Sequence, residues 1–281
     1  MDAADNTNKG FEERQTFTEK SKVVTLRGSL HLELLRQERL LLNKCNMRIK
    51  LTPHNKAFYL MCDKNEYKVK LEAARFELTK LKMNPAVLND HNMALIKSNA
   101  KYPIRRSEIK TFSIPQGNMQ TVKESLFSGQ VPRRLIIGLL DSQALAGDVT
   151  KNPFNFQHFN LNYLCAHVDG DRVPNRPLTP DYTNGHFIRA YESLFTGIGI
   201  KNEDKSVDIR RVEFHRGYTV YVLHLCPGEP DSMAYDFVQN GTVRLEMKFA
   251  TALTQTTSCI VYAEFENILE VDRDRNVILD Y

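Results

Sequence analysis

The sequence predicts an all-β protein built on an antiparallel two-sheet β-sandwich, with a complete sandwich in the C-terminal part and part of another before it. Short segments in which apolar and polar residues alternate recur along the chain, as in half-buried strands. About seven or eight of them lie between Ile104 and Val271, with only two short helical patterns among them. Strands do not alternate with long helices, which disfavours a parallel α/β sheet.

Composition agrees with a folded structural domain. The chain has 281 residues, of which 42% are apolar, and this excludes a disordered protein. Its formal net charge of +4 is too small to indicate a dedicated nucleic-acid binder. The sequence lacks both an apolar run long enough to span a membrane and the pattern of a secretory signal. Five scattered cysteines predict reduced thiols in the cytosol or nucleus, without a disulfide framework or structural zinc.

The first part of the chain divides into a lead-in, a strand-rich segment and a helix. Residues 1–22 are polar, which predicts a disordered lead-in. Asn84-Pro85 followed by Val87 and Leu88 predicts a helix that extends to about Ile96, and residues 99–103 predict a linker. Strands are predicted before that helix, at Val23–Leu34, Asn46–Leu51, Phe58–Met61 (ending in the turn-like Asp63–Asn65) and Tyr67–Met83.

The second part shows clearer strand signals. A helix is predicted from Phe187 to Phe195, ended by glycines. Asp169-Gly170 is a hairpin signal, and Asn240-Gly241 precedes another strand. Residues 134–140 are apolar on both faces, as in a central strand. The predicted strands are Ile104–Pro115, Arg134–Leu140, Leu161–Val168, Tyr218–Leu225, Val243–Phe249 and Ser258–Val271.

No catalytic, cofactor-binding or metal-ligating set is predicted. His158, Cys165 and His167 come nearest to a ligand set, but locally satisfied side chains are the favoured interpretation. The His-x-His pair of a metal-binding cupin is absent, as are the nucleophile-elbow and phosphate-loop motifs. Asp272 and Asp274 lack the glycine and the closing glutamate of a calcium loop, which favours a charged turn.

Two further features are open to a functional interpretation. Asn240-Gly241-Thr242 matches a glycosylation acceptor but is expected to be only the turn before a strand. The second feature is a set of three arginine pairs, Arg105-Arg106, Arg133-Arg134 and Arg210-Arg211, which could contact phosphate. Adjacent residues of a strand face opposite sides, so that such a pair does not by itself form a patch. We therefore expect solvated or interface ion pairs at these positions.

Several segments, in this order and spacing, resemble the major capsid protein of Polinton/Maverick transposable elements and of adintoviruses. The resemblance runs from about Val23 to Tyr281. The segments that carry it are Ala100–Arg106, Leu126–Arg133, Lys151–Phe156, Ile188–Tyr191, Gly241–Glu246, Val261–Ile268 and Asp272–Val277.

The resemblance implies a double jelly-roll capsid protein, a structural virion protein without catalytic residues or cofactors. It implies homotrimers that form pseudo-hexagonal capsomers of an icosahedral shell, with a minor capsid or penton protein as a further partner. The shell would enclose double-stranded DNA, which would be only an indirect partner of this protein. The protein would be made in the host cytoplasm or nucleus and not secreted. Residues 99–281 would form the complete second jelly roll, and residues 23–98 part of the first with its closing helix.

A full member of that family is expected to have more residues in front of this segment. A truncated gene model, a decayed copy in a host genome and a shortened protein with another use all account for the difference. The alternative function is a jelly-roll fragment that binds a protein or glycan without forming a shell. In the capsid interpretation, apolar loop residues in Pro153–Phe156 are expected to be covered only in the oligomer.

Overall fold

The computed structural model describes residues 9–37, 39–62, 66–226 and 238–279. Within them lie two short 3₁₀ helices, Glu19–Ser21 and Lys56–Phe58. The α-helices are α1 (Lys9–Thr18), α2 (Glu33–Arg36), α3 (Pro85–Lys97), α4 (Ser142–Ala146), α5 (Ile188–Thr196) and α6 (Arg211–Phe214). The strands are β1 (Ala100–Ile114), β2 (Gln120–Gln130), β3 (Arg134–Asp141), β4 (Leu161–Val168), β5 (Asp171–Leu178), β6 (Val220–His224), β7 (Asn240–Phe249), β8 (Thr257–Val271) and β9 (Val277–Leu279).

Strands β1 to β8 form a jelly roll. One sheet has the order β1-β8-β3-β6, with β9 paired to β8, and the other has the order β2-β7-β4-β5. First and last strands therefore pair, as do second and seventh, third and sixth, and fourth and fifth, which is the jelly-roll arrangement. This confirms the predicted all-β sandwich with few helices. None of the helices among the described residues is long and apolar enough to cross a membrane.

The core lies between the inner faces of the two sheets. In β3, Leu135 and Ile137 are fully buried and lie opposite Ala263 and Val261 of β8. In the other sheet, Leu245 and Met247 of β7 lie opposite Ala166 and Leu164 of β4. Residues at every second position of these strands belong to one continuous apolar cluster, which explains the alternation in the sequence.

An aromatic cluster extends this core under the loops at one end of the sandwich. Phe214 of α6 is fully buried, and its ring packs edge-on against Tyr191 of α5 and Tyr221 of β6. Ala190 and Leu194, four residues apart on α5, are buried on the same side of that helix. The helix predicted at Phe187–Phe195 is thus confirmed.

Two of the eight jelly-roll strands had no clear signal in the sequence. Strand β2 is at a sheet edge, and its register shifts between Lys123 and Phe127, which interrupts the alternation. Strand β5 is at the other edge and contains Pro174 and Pro177, residues that a strand tolerates only where no ladder hydrogen bond is needed. The remaining six strands lie where the alternation predicts them.

The strands predicted between residues 23 and 83 are wrong for the described part of that range. Helix α2 and the 3₁₀ helix Lys56–Phe58 occupy two of the predicted positions, and residues 67–83 have neither helix nor strand. A strand exists only when a neighbour pairs with its backbone groups, and no described residue forms a strand beside this segment. The predicted turn at Asp63–Asn65 lies outside the described residues.

Of the other predictions for the N-terminal part, the disordered lead-in is wrong for its described residues and the helix is confirmed. Residues 9–18, predicted as disordered, form helix α1, in which the hydroxyl of Thr16 donates to the Glu13 carbonyl. The helix predicted from Asn84 is confirmed as α3, whose first turn is capped by Asn84 Oδ1 accepting from the Ala86 amide at 3.0 Å. The linker predicted at residues 99–103 is wrong, because strand β1 begins at Ala100 and pairs with β8. The domain boundary at residue 99 stays a prediction.

By contact density the chain divides into two units. The first consists of Met1–Thr25, His54–Tyr67 and Ser107–Phe265 and contains most of the jelly roll. The second consists of Leu26–Pro53, Lys68–Arg106 and Glu266–Tyr281.

The second unit is held together by polar contacts between segments far apart in sequence. The Tyr102 hydroxyl donates to the Leu40 carbonyl and accepts from the Leu42 amide. Arg275 donates to the carbonyl of Asn43 at 3.0 Å and to the side-chain oxygen of Asn92 on α3 at 3.3 Å. These bonds fix an otherwise helix- and strand-poor region.

Replacing Phe214 with alanine should lower the free energy of unfolding by about 3–5 kcal/mol, because it removes a fully buried ring and leaves a cavity. Urea unfolding followed by circular dichroism measures this. Val212, on the same helix but 58% exposed, is the matched control, and Val212→Ala should change stability by less than about 0.5 kcal/mol. Equal effects of the two substitutions would contradict the described packing of α6.

Gly138→Ala should also destabilise the protein, by about 1–3 kcal/mol. A Cβ atom at Gly138 would lie 2.5 Å from Cδ1 of Phe156, whose ring packs on β3 at this point. The same substitution in a Phe156→Leu background should cost less, because the smaller side chain leaves room. Equal costs in the two backgrounds, measured by urea unfolding, would show that Phe156 does not contact Gly138.

Candidate functional site

An open pocket of about 350 Å³ lies at one end of the jelly roll. It is formed where the loop before β4 meets the loop before β6. The Phe156 amide donates to the Gly217 carbonyl and the Thr219 amide to the Phe156 carbonyl, each at 3.0 Å, which joins the two loops. The lining residues are Asn155, Gln157, His158, Phe159, Asn160, His215, Arg216 and Gly217.

The first of these loops has a constrained backbone. Phe159 and Asn160 both have positive φ angles, 44° and 52°, in the left-handed region that a bulky residue such as phenylalanine rarely adopts. His158 Nδ1 accepts a hydrogen bond from the Asn160 amide at 2.9 Å. In the neutral imidazole the proton is therefore on Nε2, and the ring is fixed in one orientation.

Aromatic rings support the pocket from behind. The His158 ring stacks on Tyr182 at a centroid distance of 4.0 Å, and Tyr182 stacks on Phe187 at 5.3 Å. Phe187 in turn contacts the His215 ring at 5.3 Å. The Tyr182 hydroxyl is hydrogen-bonded to that of Tyr221 at 2.7 Å, and burial raises the pKa of Tyr182 well above its ordinary value. This tyrosine pair is structural, because neither hydroxyl ionises near neutral pH.

The two histidines of the pocket are in unusual surroundings. Burial, and secondarily the charge of His215, lower the pKa of His158 below its ordinary value. Nδ1 of His215 is buried and has no hydrogen-bond partner among the residues that the structure describes. A buried polar nitrogen without a partner is costly, and it is usually satisfied by water or a ligand.

The structure separates the three residues that come nearest to a ligand set in the sequence. His158 lines the pocket, whereas Cys165 and His167 lie on β4. The Cys165 thiol contacts the carbonyls of Ala166 and Val173, and burial raises its pKa. Among the described residues no group of three histidine, cysteine or acidic side chains is placed to hold a metal ion.

His167 belongs to an ion-pair network on the sheet formed by β4 and β7. Its Nε2 lies 3.4 Å from the Glu246 carboxylate, which is also 3.5 Å from Arg244 and 3.2 Å from Lys248. Burial alone would raise the pKa of Glu246, but the hydrogen bonds and charges of its basic neighbours outweigh burial and lower it. The basic neighbours thus offset the cost of partly burying the Glu246 charge.

The three arginine pairs have separate surroundings. Arg134 is buried and forms a two-pronged ion pair with Glu264 directly opposite on β8. Arg210 is exposed and pairs with Glu213 within α6 at 2.6 Å. Arg106 contacts the Asn267 side chain at 3.5 Å. The ion pairs of Arg134 and Arg210 agree with the prediction that these pairs make no common phosphate-binding patch.

The turn motifs have structural roles. Asp272 accepts hydrogen bonds from the backbone and side chain of Asn276 at 2.8 and 2.9 Å, which closes the charged turn after β8. The Thr242 amide of the Asn-Gly-Thr motif donates to the Asp169 carboxylate at 2.8 Å. Gly241 lies so close to that carboxylate that a Cβ atom there would collide with it.

The segment Pro153–Phe156 is only partly exposed. The Phe154 side chain is 48% exposed and touches Phe58 edge-on, with ring centroids 5.9 Å apart. Pro153 is buried and Phe156 packs over Gly138. The prediction that these apolar residues are covered only in the oligomer is therefore wrong for Pro153 and Phe156, which the chain itself covers, and Phe154 stays exposed.

The pocket joins residues that are far apart in the sequence. His215, Arg216 and Tyr182 carried no signal there, because only the pairing of Phe156 with Gly217 brings the two loops together. His158 was singled out by its residue type, but its neighbours were not.

No family model matches the chain. It is 30% identical over 283 residues to the uncharacterized protein F54H12.2 of Caenorhabditis elegans, in an alignment that covers 98% of this chain. The chain spans 66% of the length of that relative.

Solved structures of viral capsid proteins are similar over about two thirds of the chain. The PBCV-1 protein VP54, fitted into a reconstruction of the virophage Sputnik, has a TM-score of 0.41 and 13% identity, covering 68% of this chain and 54% of that one. The mavirus major capsid protein has a TM-score of 0.34 and 12% identity, covering 65% of this chain and 41% of that one. The jelly-roll assignment rests on the strand order of this chain itself.

Because the pKa of His158 lies below its ordinary value of 6.5, the unfolded chain takes up this proton more readily than the folded one. The free energy of unfolding should therefore fall as the pH drops from about 7.5 to about 5.5. His158→Gln should reduce this fall, and His91→Gln, an exposed histidine on α3, should not. Urea unfolding at both pH values checks this; the same fall in both variants would contradict a buried neutral His158.

Proposed function

We propose that this chain is a capsid-type structural protein that associates with copies of itself. The observation that carries the proposal is a segment whose large apolar side chains are exposed in the described structure. Every residue from 66 to 82 is exposed, although the segment alternates apolar and charged side chains. Its large apolar side chains are 50–78% exposed: Tyr67, Val69, Leu71, Phe76, Leu78 and Leu81.

A continuous apolar surface of this kind marks a site of protein association in soluble proteins. Alternation suits a strand, whose backbone groups need a neighbouring strand as partner. A partner strand would cover the apolar side chains and satisfy the backbone at once. Phe154, exposed in the first unit, supports the same interpretation.

The jelly roll and the sequence motifs give the proposal its particular form. The strand order is that of a complete jelly roll, a fold used in viral capsids and lectins. The sequence motifs resemble those of Polinton/Maverick and adintovirus major capsid proteins. We therefore place the chain as a shell subunit of such an element, as a homotrimer in a pseudo-hexagonal capsomer. A minor capsid or penton protein would be a further partner, and DNA would be enclosed without a dedicated site.

This assignment gives the protein a structural role in the virion and no catalytic activity. The buried polar groups fit that role, since they stabilise the sandwich. Arg134 with Glu264 and Tyr182 with Tyr221 are paired inside the protein, where they join neighbouring elements. Assembly is then the protein's mechanism, with contacts repeated around a symmetry axis.

Light scattering after size-exclusion chromatography should give a mass near three times the 32.4 kDa of one chain. The double variant Leu71→Glu, Leu78→Glu should remain folded, because both side chains are at least half exposed. It should lower the trimer association constant by about a hundredfold or more, since each buried leucine contributes about 1.5–3 kcal/mol.

The matched control is Lys68→Gln, Lys82→Gln, which alters exposed polar positions of the same segment and should leave the trimer intact. A uniform monomer of the unaltered chain would contradict self-association and favour the alternative of a binding module. A trimer that both double variants retain would show that residues 67–83 are not the contact.

A further inference from the structure

We propose that the pocket lined by His158, His215 and Arg216 binds a small oxyanion, a phosphate-type or carboxylate group. This binding is separate from shell assembly, because the pocket is formed by loops of the jelly roll and includes none of residues 67–83. Charge, hydrogen-bonding capacity and burial in the pocket all favour an anion.

The charged and titratable side chains that line the pocket are all basic. Arg216 supplies a permanent positive charge, and two histidines can add more. The other lining residues are Asn155, Gln157, Phe159, Asn160 and Gly217, so no acidic side chain lines the pocket. A guanidinium next to imidazoles and amides provides donors that match the oxygens of an oxyanion.

His215 provides the second observation. Its Nδ1 is buried and finds no hydrogen-bond partner in the described part of the chain, and the residue lines the pocket. An oxyanion would accept a hydrogen bond from Nδ1–H and so satisfy this nitrogen. The His158 ring is already oriented by the Asn160 amide and by stacking on Tyr182. The site is thus largely ordered before a ligand binds, which lowers the entropic cost of binding.

The charged groups next to these elements do not cancel the positive charge of the pocket. Asp181, beside Tyr182, accepts hydrogen bonds from the backbone and side chain of Asn184. Glu213 on α6 is paired with Arg210, and Arg211 lies over the Phe187 ring. The Glu213 carboxylate is thus paired with a cation, the Asp181 carboxylate is held by Asn184, and neither residue lines the pocket.

The proposed binding is coupled to protonation. An anion favours the charged form of an imidazole, and by linkage a protonated imidazole favours the anion. Burial lowers the pKa of His158, which leaves this ring neutral near pH 7. The affinity for an oxyanion should therefore increase as the pH falls through the range in which histidine titrates.

Sulfate is a suitable probe, because its charge does not change between about pH 5.5 and about pH 8, the range in which histidine titrates. Calorimetric titration of the full chain, at an ionic strength held constant with chloride, should show saturable binding about tenfold tighter at the lower pH. Arg216→Gln should weaken binding about tenfold or more through loss of a charged hydrogen bond. Arg176→Gln, an exposed arginine of β5 outside the pocket, is the matched control and should bind as the unaltered chain does.

His215→Gln should weaken binding, because it removes the Nδ1 donor. Because this position is partly buried, a second measurement does not depend on that variant folding: the ring resonances of the histidines in the unaltered chain. The resonances of His158 and His215, assigned through the contacts of these rings with Tyr182 and Phe187, should shift on addition of sulfate, and those of exposed His91 should not. Acetate in place of sulfate distinguishes a carboxylate ligand from a tetrahedral one, and tighter binding of either supports an oxyanion site.

Two results would overturn the proposal. Absence of a saturable signal with both anions at the lower pH would mean that the pocket holds only water. Binding that Arg216→Gln and Arg176→Gln weaken equally would place the anion on the general surface charge. Neither result depends on whether the chain forms trimers.

Discussion

The packing of the two inner sheet faces against each other is the interaction on which the rest of the structure depends. Leu135 and Ile137 on one side, with Leu245 and Met247 on the other, are excluded from solvent. Burial of each such side chain contributes about 1.5–3 kcal/mol, far more than any surface contact in the molecule. The loops that carry the pocket are held in place because the strands they connect belong to this core. A change in the register of one strand would displace them all.

Polar groups inside the jelly roll follow a consistent rule: each has a partner that its neighbouring strand or loop provides. Arg134 lies opposite Glu264 because β3 and β8 are in that register. The ring of Tyr182 brings its hydroxyl to that of Tyr221. Removing one member of such a pair would leave the other buried and unsatisfied. His215 Nδ1 departs from this rule, and it does so at the edge of a pocket where another molecule can complete it.

Much of the jelly roll could be predicted from the sequence, because most of its inner strands bury one face and alternate, and β3 is a run of apolar residues. The edge strands β2 and β5 could not, since a bulge and two prolines interrupt their pattern. The alternation between residues 23 and 83 predicted strands that the described structure does not contain. Alternation shows that one face of a segment is apolar, but it does not show whether a second strand lies beside the segment to pair with it. The pocket combines two loops joined by backbone pairing, and residue spacing carries no information about such pairing.

The bonds of Arg275 have a consequence for how the protein is made. The Asn43 carbonyl that this side chain binds lies 232 residues earlier in the chain. During translation the early partner leaves the ribosome long before the late one, and the contact cannot form until synthesis of this part of the chain is almost complete. The bonds of Leu40 and Leu42 with Tyr102 can form earlier, whereas Asn43 lacks its Arg275 partner while the strands between them emerge and pair. Nascent chains would be most vulnerable to proteases and most dependent on chaperones in this interval.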